Sequence, residues 1–114
     1  MAESWTIIIS PEVAQWYRKL NATDQMMTDK MIELLQAYGN QLRMPHSKPL
    51  GDGLFELRFA LQHNTIDQRI TYVFDPERRI ITLTTFHKTQ NNQAREVTRA
   101  RQAKKAYERK NENE

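Results

Sequence analysis

The sequence predicts an α+β domain of order β-α-α-β-β-β-α, with the helices packed on one face of a small, mostly antiparallel sheet. Three observations predict it. Two apolar stripes at helical spacing follow one another in the first third of the chain. Three segments of two-residue alternation, separated by short turns, occupy the middle. A long polar stretch with a thin helical stripe closes the chain.

Each element has its own reason. Trp5–Ile9 is a short β-branched run ended by Ser10-Pro11, the pattern of a strand. Ser10 can cap the following helix, and Pro11 suits its first position because the missing N–H is unneeded there. Val13, Trp16, Tyr17 and Leu20 then form one stripe. Asn21-Ala22-Thr23 interrupts it and supplies a new cap, and Met27, Met31, Leu34, Leu35 and Tyr38 form a second stripe ended by Gly39. The tight connection predicts an antiparallel helical hairpin. Gln41–Asp52, punctuated by Pro45, Pro49 and Gly51, reads as a loop.

Phe55, Leu57, Phe59 and Leu61 alternate with Glu56 and Arg58, and Ile70, Tyr72 and Phe74 alternate with Arg69, Thr71 and Val73. After the Asp75-Pro76-Glu77 turn, Ile81 and Leu83 alternate with Ile80, Thr82, Thr84 and Phe86. From about Asn91 the pattern is helical again, with Ala94, Val97, Ala100, Ala103 and Tyr107 as its apolar stripe. One domain over residues 1–110 is expected, with 111–114 as a frayed polar tail.

Composition narrows the chemistry. The chain has 114 residues and no cysteine, which excludes disulfides, thiol nucleophiles and cysteine-based zinc sites. His46 and His63 fall in expected loops without an i,i+4 partner, so no metal site is expected, and no glycine-rich phosphate loop is present. No apolar run approaches the ~20 residues of a membrane span, and MAESWTIII lacks the pattern of a secretory signal. The expectation is a cytoplasmic protein with no membrane contact. Charge is concentrated at the end: residues 86–114 carry eight basic and four acidic groups, a net of +4 against +3 for the whole chain. Such a basic segment suits nucleic acid.

The alternation also defines a candidate site. With Phe55, Leu57, Phe59, Ile70, Tyr72, Phe74, Ile81 and Leu83 facing the helices, the other face collects Arg58, Arg69, Thr71, Thr82, Thr84, Phe86 and Lys88. Cations for phosphate and a flat ring for a base are the elements of a nucleic-acid site. The competing expectation is that Arg58 pairs with Glu56 or a cross-strand carboxylate on a solvated face, and that Phe86 packs at an edge. His87 is of a residue type suited to acid–base work, yet strict alternation places it with Ile81, Leu83 and Thr85. A packed or rim histidine is its other reading.

Three strings in series, KPLGDGLFELRF (Lys48–Phe59), RITYVF (Arg69–Phe74) and LTTFHKTQNNQAREVTRA (Leu83–Ala100), resemble the HigB branch of the RelE toxin superfamily, which includes phage-derived Gp-type proteins. The resemblance spans most of the chain in the family's order and implies a RelE-like fold. It implies the toxin of a type II toxin–antitoxin pair, a metal- and cofactor-independent endoribonuclease that cuts mRNA on the ribosome and is neutralised by a helix-turn-helix antitoxin. It places Arg58, Arg69 and Lys88 in the site; apart from the resemblance, His87 is a further catalytic candidate and Lys48, Phe86, Gln90, Arg95 and Arg99 are candidate RNA contacts. Many relatives carry two lysines after the phenylalanine, whereas here Lys88 is followed by Thr89-Gln90. The alternatives are a non-catalytic RNA- or DNA-binding module, or a phage-derived interaction protein on the same fold. The basic flank of the last helix (Arg95, Arg99, Arg101, Lys104, Lys105) would serve ribosomal RNA, an acidic antitoxin surface, or only solvation.

Overall fold

A computed structural model describes residues 4–112. β1 (Thr6–Ile8) leads into α1 (Pro11–Arg18) and α2 (Ala22–Tyr38), then a short 3₁₀ turn at Gly39–Gln41. The strands β2 (Ser47–Gly51), β3 (Leu54–Leu61), β4 (Ile66–Asp75) and β5 (Arg79–His87) follow, and α3 (Gln93–Glu112) ends the fold. They form one sheet of order β1-β5-β4-β3-β2, antiparallel except for β1, which runs parallel to β5. No helix among the described residues is long and apolar enough to cross a membrane.

The predicted caps form as expected. The Ser10 hydroxyl accepts the amide of Val13 at 3.3 Å, and the Asn21 side chain accepts that of Asp24 at 2.8 Å. Gly39 ends α2 at φ +51°, a conformation open to glycine. It is also pressed by the Trp5 indole, which occupies the space a Cβ would take.

Four expectations are corrected. β2 lies inside the segment read as a loop; as an edge strand it tolerates Pro49, whose missing N–H faces no neighbour. The buried stripe of α2 is Asp24, Thr28, Met31 and Leu35, so Met27 and Tyr38 are exposed. α3 continues through Glu112, past the expected end of the domain at 110, and the rest of that tail lies outside the described residues.

The fourth correction concerns the faces. α1 and α2 cover one face, over Leu57, Phe59, Leu61, Ile70, Tyr72 and Ile80. α3 packs on the opposite face, where Ala100, Ala103 and Tyr107 meet Leu54, Val73, Ile81 and Leu83. The helices are therefore not on one side: the sheet is the middle layer. Small residues let α3 approach the strands closely, and Val73 and Ile81 make that face apolar enough to hold it.

A register shift in β5 reconciles the two halves of that strand. Tyr72 pairs with Thr82, but Ile70 pairs with Thr85, so β5 carries one extra residue between them. Before the shift, Ile81 and Leu83 point to α3 while Thr82 turns to the α1 side, accepting the Ser10 amide at 2.9 Å and donating to the Ile8 carbonyl at 3.0 Å. After it, Phe86 shares a face with Arg69, as expected.

Candidate nucleic-acid interface

α3 covers only part of its face. Beyond its first turn the sheet becomes polar, and the register sets out the groups. Lys48 lies opposite Glu56, Glu56 opposite Thr71, Arg58 opposite Arg69, and Arg69 opposite Phe86. Two arginines directly opposed on adjacent strands repel. Two carboxylates offset this.

Glu56, only 1% exposed, places Oε1 3.3 Å from Arg69 Nε and 3.9 Å from Arg58 Nε. Its Oε2 accepts the Gln93 side-chain amide at 3.2 Å, tying the start of α3 to the site. Asp67 grips the other end of Arg69 as a fork: Nη2 donates to Oδ2 at 3.2 Å, and Nη1 donates to Oδ1. Arg69 is 3% exposed. It is therefore a buried, doubly paired cation rather than an open phosphate receptor.

The free positive charge lies around this core. The Arg58 side chain is 28% exposed, with Nη1 donating to Met44 Sδ at 3.4 Å. Lys48 is exposed on β2. Lys88 follows β5; its backbone amide donates to the Asp67 carbonyl at 2.7 Å, and its ammonium donates to the adjacent Thr89 carbonyl at 2.8 Å. Asn92 shapes this turn by accepting the Thr89 amide at 2.9 Å and donating to the His87 carbonyl at 2.8 Å.

The remaining expected residues divide. His87 is exposed but pairs with Gln68, on the sheet face opposite Arg58 and Arg69. The structure does not bring it to this group. Phe86 lies on the right face but is 7% exposed, so its ring is packed rather than presented to a base. Gln90 is exposed in the turn before α3, and the Arg95 side chain is 76% exposed. Arg99 is committed inward: it donates to Glu12 Oε1 at 2.6 Å, Glu96 Oε1 at 2.9 Å and the Thr85 carbonyl at 3.1 Å. The Glu12 hydrogen bond, foremost, holds its guanidinium above the ordinary arginine range.

Sequence alone does not single out Asp67, Gln93 or His46 as members of the site. Asp67 shares a strand face with Arg69 two residues on, a period-two signal that was available. Glu56 was visible only as a partner for Arg58. Gln93 gave no signal, because its role depends on where α3 docks. His46, read as a loop histidine, is exposed and accepts the Arg58 amide through its carbonyl at 2.8 Å, which sets it beside that arginine. Among the described residues no three His, Asp or Glu side chains are grouped to hold a metal.

The family of phage-derived Gp49-like proteins matches residues 15–111. No curated protein matches the chain. Two solved structures share its fold. The free E. coli toxin RelE, as a double arginine-to-alanine mutant, superposes with a TM-score of 0.61 at 13% identity, covering 90% of this chain and 97% of its own. A chain of the toxin–antitoxin complex RelBE2 from Mycobacterium tuberculosis gives 0.55 at 18% identity, covering 75% of this chain and 99% of its own. The RelE-like fold expected from the three strings is present.

Proposed function

Starting from the fact that the chain belongs to the phage-derived Gp49-like family, we propose that it is the toxin of a type II toxin–antitoxin pair and acts as an endoribonuclease on mRNA held by the ribosome, in the cytoplasm. The observation that carries the reading is the arrangement of Arg58 and Lys88, two accessible cations flanking the buried Glu56–Arg69–Asp67 network. The resemblance of the sequence to HigB-type toxins and the RelE-like fold support it. A helix-turn-helix antitoxin is the partner this reading supplies.

RNA brings its own nucleophile, the ribose 2′-OH, so the protein has only to position it, move its proton and stabilise charge. The attacked phosphate gains negative charge on its non-bridging oxygens, which preorganised cations meet without reorganisation. Arg58 is the guanidinium able to do this, held from behind by Glu56. Lys88 neutralises the leaving oxygen or the neighbouring phosphate, and Lys48 and Gln90 extend the track for the strand. Arg69 acts indirectly, as the buried post that fixes Glu56 and hence Arg58. A lysine or arginine of ordinary pKa is a poor base at neutral pH. Proton removal therefore falls to another group: His46, whose carbonyl accepts the Arg58 amide at 2.8 Å, or the ribosome itself.

A programmed-ribosome cleavage assay read by primer extension tests this, comparing wild type with Lys88→Ala. Discrete ribosome-dependent cuts that vanish in the folded variant are expected. If folded wild-type protein gives no cuts, the nuclease reading is lost and a non-catalytic nucleic-acid-binding module takes its place.

A further inference from the structure

The basic flank of α3 is not the one its sequence suggests. Arg99, Arg101 and Lys104 are consumed within the chain: Arg99 by Glu12 and Glu96, Arg101 by the Leu50 carbonyl at 2.6 Å, and Lys104 by Glu108 at 2.9 Å. Besides Lys110, the exposed cations of α3 are Arg95, Lys105 and Arg109. Arg95 has only a 3.8 Å approach to Glu96, and among the described residues Lys105 and Arg109 make no hydrogen bond or ion pair.

These three share one helical face. Positions 95, 98, 102, 105 and 109 recur at spacings of three and four, and the residues between the cations are Thr98 and Gln102. At 1.5 Å per residue the stripe is about 21 Å long. It begins two residues beyond Gln93, the side chain hydrogen-bonded to Glu56, and runs away from the site.

We infer that this outer face of α3 is a docking surface for the phosphate backbone of double-helical RNA. Charge complementarity chooses a polyanion as the partner: positions 95 to 109 of the stripe hold three cations and no carboxylate, with Glu112 one turn beyond and the largely buried Glu96 3.8 Å from Arg95. What it lacks chooses the form of that polyanion. No aromatic ring lies on it for unstacked bases to cover, and no large apolar side chain is there to anchor a protein. Cations with neutral polar neighbours suit contacts to phosphates and 2′-hydroxyls, the way duplex RNA is bound by shape. The inference rests on the reading above only in naming RNA; the surface itself is separate from Arg58 and Lys88. It would anchor the protein on folded RNA while a single strand reaches the site.

The test is binding, not cleavage. Fluorescence anisotropy with a 20-base-pair RNA hairpin would compare Lys88→Ala with Lys88→Ala carrying Arg95→Gln, Lys105→Gln and Arg109→Gln, so that no RNA is cut. Each lost phosphate contact removes about 0.7–0.9 from the slope of log affinity on log salt. Three removed contacts mean that, between 50 and 200 mM salt, the parent should lose roughly 20–40-fold more affinity than the triple variant. An unchanged melting temperature shows the variant folded, as exposed positions predict.

Equal affinity and equal salt slope in the two proteins would overturn the inference. So would a polyglutamate peptide that competes as well as a hairpin of the same charge, since the partner would then be an acidic protein. A DNA duplex of the same sequence that binds at least as tightly as the RNA would overturn the assignment to RNA. None of these outcomes depends on whether wild type cuts mRNA, so failure here and failure of the nuclease reading are told apart.

Discussion

Arg58 and Arg69 stand directly opposite each other on β3 and β4, and one buried carboxylate, Glu56, lies within 3.9 Å of the first and 3.3 Å of the second. This relationship divides the labour between them. The partly exposed arginine is free to meet a substrate; the buried one holds the carboxylate in place.

Replacing Arg58 by Ala should therefore spare the fold and damage activity. A melting temperature within about 3 °C of wild type and a loss of ribosome-dependent cleavage of a hundredfold or more are expected, in line with the loss of one preorganised charge donor. Undiminished cleavage in this variant would remove Arg58 from the site.

Arg69→Ala should damage the fold itself. It strips the pairing from buried Glu56, and a broken buried pair costs about 3–5 kcal/mol. Urea unfolding should show this as a large fall in midpoint. A variant that unfolds like wild type would mean that the Glu56–Arg69 pair contributes little.

Gly39→Ala tests the end of α2. The site combines a positive φ with the Trp5 indole seated where the new methyl would go. A loss above about 2 kcal/mol is expected, more than the helical preference for alanine could return. Adding Trp5→Ala should recover part of the loss by making room.

Alkaline pH should loosen the core through Tyr72. Burial pushes its hydroxyl up to about 12, partly opposed by the hydrogen bond with Ser47. A raised folded-state pKa means that the full stabilisation is present below pH 10, the unfolded value, and is lost as pH rises from 10 towards 12. Two units correspond to roughly 2–3 kcal/mol. Melting curves collected from pH 8 to 11.5 should fall steeply above pH 10 in wild type and less so in Tyr72→Phe. Parallel falls would assign the alkaline loss to other groups.

The elements legible in the sequence were those whose signal is local. The caps at Ser10 and Asn21, the α1–α2 hairpin and the alternation of β3 and β4 all follow from spacing within a few residues. β2 was hidden because Pro45, Pro49 and Gly51 are loop signals anywhere but on an outer edge. The extra residue in β5 is also invisible to alternation, which is why Ile81 and Leu83 were assigned to the wrong helix layer. At the candidate site, the face of Arg58 could be read from alternation. The burial of Arg69, the isolation of His87 behind the sheet and the inward turn of Arg99 arise only when distant elements meet.

The parallel pairing of β1 with β5 joins Thr6 to Arg79, about seventy residues apart. Closing that contact requires a large loop to be drawn in before any ladder hydrogen bond rewards it, and such non-local topologies fold slowly. During synthesis the first strand emerges long before its neighbour exists. The Ser10 contacts to Thr82, and the Glu12 contacts to Thr85 and Arg99, are likewise unavailable until then. A protein built this way would remain an incomplete sheet until nearly its whole length had left the ribosome, so the order of chain growth itself delays the appearance of the folded form.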